Sequence, residues 1–173
     1  MQAPARMFWG PLTALGLAAA AIACILDQAS KLWLLEVFGL ADKGVVELMP
    51  FVDLVLTWNT GISYGWFQQE GPFGQGALLA LKAVAIALLW IWLARATSRL
   101  SAVALGLIIG GAIGNGIDRL IYGAVADFVL LHAETATWRF NWYVFNLADV
   151  AIVAGVAGLL YESLWPDSAP KAP

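Results

Sequence analysis

A membrane protein of four transmembrane α-helices, all-α in its spanning part and carrying a small extracytoplasmic β-sheet, is predicted for this chain by three observations. Hydrophobic residues make up 61% of the 173 positions and charged residues 12%, with a mean hydropathy of +0.79, too apolar for an ordinary soluble domain. Four apolar stretches approach the roughly 20 residues needed to cross a hydrocarbon core about 30 Å thick. Between them lies one long non-spanning part rich in Val, Leu, Phe and Trp, the composition of short strands. No internal repeat or low-complexity linker divides the chain, so residues 1–173 are expected to form a single domain.

The spans are expected at Phe8 to Leu26, Gly76 to Ala94, Ser101 to Ile117 and Val144 to Leu164. Lys82, inside the second, has a long apolar stem and is expected to snorkel toward the nearer interface. The third holds Gly106, Gly110, Gly111, Gly114 and Gly116, whose main expected role is to let helix backbones approach closely. Trp9 and Trp165, at the outer limits of the first and last spans, suit an interfacial aromatic belt. The first span also resembles a signal sequence, with basic Arg6 and the small-residue run Ala21-Ile22-Ala23 before Cys24. Asp27 and Lys31 follow at once, and removal would leave an odd number of spans, so a retained helix is expected.

An even number of crossings puts both termini on one side. The short connection between the second and third spans carries Arg95 and Arg99, and Arg6 and Lys171 lie in the tails, which makes that side cytoplasmic. Lys31, Lys43, Arg119 and Arg139 lie opposite, so the short loop decides the orientation. The external regions are then 28–75 and 118–143. In the first, short strands are expected from Val45 to Trp66, broken by Pro50 and turning at Asn59-Thr60-Gly61, with a loop at Gly71-Pro72.

Composition excludes several classes of function. The nine Lys and Arg are scattered, the net charge is -3 and the pI is about 4.9, so no basic stripe for nucleic acid exists. Cys24 is the only cysteine, which forbids an intrachain disulfide, and His132 is the only histidine. Multi-histidine zinc sites therefore have no basis, and no metal or cofactor is expected.

The polar residues sort by topology. Asp27 ends the first span, Asn59 sits in the external loop, Asn115, Asp118, Arg119 and Asp127 follow one another at the end of the third span, and Asn146 and Asp149 open the fourth. All fall on the outer side, as a site at the outer membrane interface requires. A purely structural use is also open: Asp27 pairs with Lys31 at i, i+4, and Asp118 with Arg119 or another cation. Asp127 and Asp149 stand at the edges of apolar segments, where an unpaired charge is costly. Two carboxyls that meet there can share one proton, one serving as base and the other as acid. A small proton-coupled transporter and a lipid-binding scaffold are the alternatives from other classes; one-sided placement of the acids suits an interfacial enzyme better than a path through the bilayer.

Four runs carry a resemblance. Asp27-Gln28-Ala29-Ser30-Lys31, Asn59-Thr60-Gly61-Ile62-Ser63-Tyr64-Gly65, Gly114-Asn115-Gly116-Ile117-Asp118-Arg119 with Gly123-Ala124-Val125-Ala126-Asp127-Phe128, and Phe145-Asn146-Leu147-Ala148-Asp149 are similar to the ordered motifs of the lipoprotein signal peptidases, or signal peptidase II. One departure is visible: Ser63 and Tyr64 stand where the family often has Ala then Phe. The resemblance implies an aspartyl endopeptidase of the bacterial cytoplasmic (inner) membrane. Its substrates are prolipoproteins with a diacylglyceryl group on a cysteine, cut just before that cysteine, and membrane lipid is its other partner. It further implies that Asp127 and Asp149 are catalytic, that Asn59, Asn115, Arg119 and Asn146 line the site, and that Asp27, Lys31, Gly61 and Asp118 bind or support.

Overall fold

The computed structural model describes residues 8–61, 72–135 and 137–165. Helix α1 (Thr13–Leu32) passes into a π-helical turn at Trp33–Val37, followed by the short α2 (Leu40–Lys43). The strands β1 (Val46–Met49) and β2 (Val52–Asn59) come next, then helices α3 (Pro72–Ala94) and α4 (Arg99–Tyr122). Strands β3 (Val125–Glu134) and β4 (Arg139–Phe145) lead to the last helix, α5 (Leu147–Leu164). Three helical segments, Thr13–Val37, Arg99–Tyr122 and Leu147–Leu164, are long and apolar enough to cross a membrane, and a shorter apolar stretch runs from Leu79 to Ala94 within α3.

Helix α1 does not stop at Leu26. Its buried positions, Thr13, Gly16, Ala20, Ala23, Asp27 and Lys31, recur every three or four residues and form one continuous stripe. The charged pair continues this packed face, so Asp27 lies inside the helix rather than at its end. The run Ala21-Ile22-Ala23-Cys24 is uninterrupted helix. Helix α4 likewise overruns its expected end at Ile117, because Asn115, Asp118 and Arg119 are buried on its packed side. It stops where Gly123 takes a left-handed conformation at φ 72°, which a glycine adopts without strain. Helix α5 starts later than expected: Val144 and Phe145 close β4, and Asn146 caps the helix.

The glycines of α4 serve close packing. A β-carbon on Gly106 would overlap the carbonyl oxygen of Gly16, one on Gly110 that of Ala20, and one on Gly111 that of Ala148. Gly116 is the exception, with open space where its side chain would be. Around these contacts Ala20, Leu93, Ala102, Leu105 and Ile109 make the core between helices. In α3, Pro72 opens the helix instead of lying in a loop, a position where the missing N–H of proline costs nothing; Gly71 lies outside the described residues. Lys82 is half-buried on the same side of α3 as Ile86, Leu89 and Leu93, so its stem follows the packed stripe.

One antiparallel sheet of order β1-β2-β3-β4 caps this helical body. Strands β1 and β2 lie in the expected stretch, but their hairpin turns at Pro50, where only a break was expected, and β3 and β4 were not anticipated between the third and fourth spans. Leu34, Leu40, Leu54 and Phe128 form a second core that seats the sheet on the end of α1. The register sets Thr57 opposite Asp127 and Asn59 opposite Val125, which brings Asn59 and Asp127 onto one face. Residues Ile62 to Trp66 of the expected strand region, Ser63 and Tyr64 among them, lie outside the described residues.

Candidate active site

Lys31 is the buried hub of the site's floor. Its ammonium lies 2.9 Å from Asp27 and 2.8 Å from Asp118, and donates at 3.0 Å to the side-chain oxygen of Asn115. Three donors meet three acceptors, so the cation is fully satisfied. Asp118 thus pairs with Lys31, not with its neighbour Arg119; side chains next to each other on a helix point apart, whereas packing of α1 on α4 brings Lys31 across. Both carboxylates also reach further. Asp27 accepts the backbone N–H of Ala148 at 2.9 Å, one of the helix-start donors that α5 itself cannot satisfy. Asp118 accepts the N–H of Ala126 at 3.1 Å and an amide hydrogen of Gln28 at 2.8 Å. The floor therefore ties down the residue before Asp127 and the residue before Asp149.

Above it, Asn146 joins the two other aspartates. Its amide donates to Asp127 at 2.6 Å and to Asn115 at 3.0 Å. Its side-chain oxygen accepts from the N–H of Asp149 at 3.0 Å, and its own N–H donates to the Asp149 carboxylate at 3.2 Å, a reciprocal cap on α5. Asn115 donates to the other Asp149 oxygen at 2.9 Å, and Asn59 to the other Asp127 oxygen at 3.1 Å. Every carboxylate oxygen of the two aspartates is thus held by an amide or backbone donor. Arg119 reaches the turn after β2, donating to the carbonyls of Thr60 at 3.4 Å and Gly61 at 2.5 Å. The N–H of Gly61 donates to Asn59 at 3.1 Å, an Asx turn that aims the Asn59 amide at Asp127.

Burial pushes the Asp127 carboxyl up to about 6, and the nearby Asp149 charge adds to the rise, while the donors Asn59 and Asn146 pull against it. Asp127 is buried and Asp149 half-buried, so the two carboxyls differ in environment although one asparagine bridges them.

All ten residues expected from the sequence, Asp27, Lys31, Asn59, Gly61, Asn115, Asp118, Arg119, Asp127, Asn146 and Asp149, fall in one connected network. Gln28 belongs with them and was not singled out, though it stands between Asp27 and Lys31 in the run that drew attention. The backbone donors of Ala126 and Ala148 leave no trace in residue type.

Residues 19–165 match the family model described as signal peptidase (SPase) II. A lipoprotein signal peptidase of Rhodopseudomonas palustris is 65% identical over 159 residues, covering 92% of this chain and 97% of its own. One of Nitrobacter hamburgensis is 62% identical over 158 residues, covering 91% and 96%. Two bacterial membrane enzymes solved in meso at 2.3 and 1.9 Å resolution share the fold, each at 24% identity. Their TM-scores are 0.68, over 92% of this chain and 93% of the other, and 0.65, over 90% and 95%. The match spans the whole floor-and-dyad network as well as the helices, and the chain belongs to the signal peptidase II family of membrane aspartic peptidases.

Proposed function

We propose that Asp127 and Asp149 are the acid–base pair with which this signal peptidase II removes signal peptides from prolipoproteins. The observation that carries the assignment is Asn146, which holds both carboxyls at once. One aspartate takes a proton from water as its oxygen attacks the scissile carbonyl carbon. The other gives its proton to the nitrogen as the C–N bond breaks, leaving a carboxyl and an amine. Asp127, raised to about 6, is the better placed to carry a proton at the start. Asn59, Asn115 and Asn146 fix the two carboxyls, Arg119 and Gly61 shape the adjoining turn, and Asp27, Lys31 and Asp118 support from below.

The substrates in this proposal carry a diacylglyceryl group on the cysteine that follows the cut. Acyl chains held in lipid, at roughly 0.8 kcal/mol per buried methylene, bring the scissile bond to a site at the membrane surface. Binding energy used for positioning makes the lipid a requirement for turnover. A single precursor peptide assayed with and without its diacylglyceryl group, in the same detergent, is expected to be cleaved fast only when modified. Equal rates would remove the lipid from substrate recognition.

Helix α3 is proposed as a fourth crossing beside the three long apolar helices, since it runs 23 residues and packs its Ile86, Leu89 and Leu93 side on them. With four crossings both termini lie on one side, and the Arg95 and Arg99 connection supports a cytoplasmic assignment for it, with the sheet outside a bacterial inner membrane. In a Cys24→Ala background, an impermeant thiol reagent applied from outside is expected to label Thr137→Cys and not Thr97→Cys. The opposite pattern would invert the topology.

A further inference from the structure

Strand pairing sorts the sheet into two faces, because directly opposed residues share a side and successive residues alternate. Val52 opposes Leu131 and Ala133 opposes Phe140, and Leu131 and Ala133 are two apart in β3, so these four lie on one face. Glu47 opposes Asp53 and His132 opposes Asn141 on the other, where His132 Nε2 stands 3.3 Å from the Asp53 carboxylate. Among the described residues the apolar face is covered at one end, where Leu54 packs on Leu34 and Leu40. Toward the β3–β4 turn it is bare. There Trp138, Phe140 and Trp142 make a ladder with ring centroids 5.7 and 5.9 Å apart, and Tyr143 meets Trp142 at 5.7 Å. All four rings are exposed, Trp138 by 55% and Trp142 by 50%.

Large rings left in water forgo the stabilisation that burial brings, whereas Trp and Tyr, apolar in body and polar at the tip, suit a membrane–water boundary. The occupant follows from continuity. Strand β4 leads from the ladder to Phe145, with only Asn146 between it and α5, an apolar helix long enough to cross a membrane whose Leu147, Val150 and Val153 are exposed. We propose that the ladder of Trp138, Phe140 and Trp142 is seated in the headgroup region of the bilayer, so that lipid covers the bare half of the sheet. Lipid then holds β3, and with it Asp127, at a fixed height over the membrane surface, while the exposed Glu47 and Asn141 on the opposite face meet water. The inference rests on the membrane placement proposed above and is independent of the catalytic roles of Asp127 and Asp149.

The test uses the full chain with Cys24→Ala in liposomes of phosphatidylethanolamine and phosphatidylglycerol. Nitroxide labels are placed singly at Phe140→Cys, Trp142→Cys and Asn141→Cys, and their relaxation by oxygen and by a water-soluble nickel chelate is compared. Loss of nickel access with retained oxygen access is expected at 140 and 142, and full nickel access at 141. Ala133→Cys, on the face of Phe140, supplies the same reading if an aromatic replacement fails to fold. Equal nickel access at all positions would overturn the proposal. So would shielding at 140 that appears only with added precursor peptide, which would make the face a substrate platform, or spin–spin broadening between copies, which would make it a subunit contact. None of these readings depends on cleavage, so a failed peptidase assignment and a failed docking surface are told apart.

Discussion

Replacing Asp127 or Asp149 by Asn is expected to lower cleavage of a lipid-modified precursor by about 10³-fold or more, within the range of about 10²–10⁴ ascribed to one acid or base and compounded by loss of its partner's role. Both variants should insert and fold, because asparagine keeps the shape and the floor of Asp27, Lys31 and Asp118 is untouched. In the proposed mechanism the pair acts as a unit, so the double variant should be barely slower than either single one. Substantial activity in either single variant would take that residue out of the mechanism. The pH dependence has a definite sign. If the proton on Asp127 is needed, kcat/KM should fall as pH rises through about 6. The folded value also lies above the ordinary 3.8, so the native state binds this proton more firmly than the unfolded chain. The group's contribution is then most favourable below the unfolded value and is lost as pH rises through about 6. Thermal unfolding of Asp127→Asn, measured across that window, should lack this loss.

Lys31→Met is expected to be the most destabilising single change in the site. Two carboxylates, Asp27 and Asp118, would remain buried with their shared cation gone, and breaking a buried ion pair costs about 3–5 kcal/mol. Asn115 would lose a donor at the same time, which loosens the amide holding Asp149. Activity should therefore fall together with the unfolding temperature in a fixed detergent. Adding Asp118→Asn to Lys31→Met should recover part of the stability by removing one unpaired charge. An unfolding temperature for Lys31→Met equal to that of the wild type would show that the triad does not hold the floor together.

Much of the site was legible because its cues are local. Asp27 and Lys31 stand one helical turn apart, so their pairing follows from helix geometry. The turn at Asn59-Thr60-Gly61 and the opening of the last helix near Asn146 and Asp149 are each settled within a few residues. The departures arose where the cue was not local. A charge looked like the end of a span at Asp27, yet the helix ran on because the charge was matched from α4. Strands β3 and β4 have short apolar runs that by themselves do not distinguish strand from other structure, and they are strands because β2 offers an edge to pair with.

From residue order alone came the apolar stretches, the glycine stripe of α4 and, Gln28 apart, the acids and amides of the network, since periodicity and composition are written along the chain. The packing of separate elements decided which partners they have. Lys31 meets Asp118 only because α1 crosses α4 at the glycines, and Asn59 meets Asp127 only through the β2–β3 register. Asn146 bridges Asp127 and Asn115 only because Asp27 pins the first turn of α5 beside them. The physical reason is range: a turn or a helical face is set by neighbours a few residues apart, whereas these contacts form between groups far apart in the chain, whose approach is fixed by how whole helices and strands fill space.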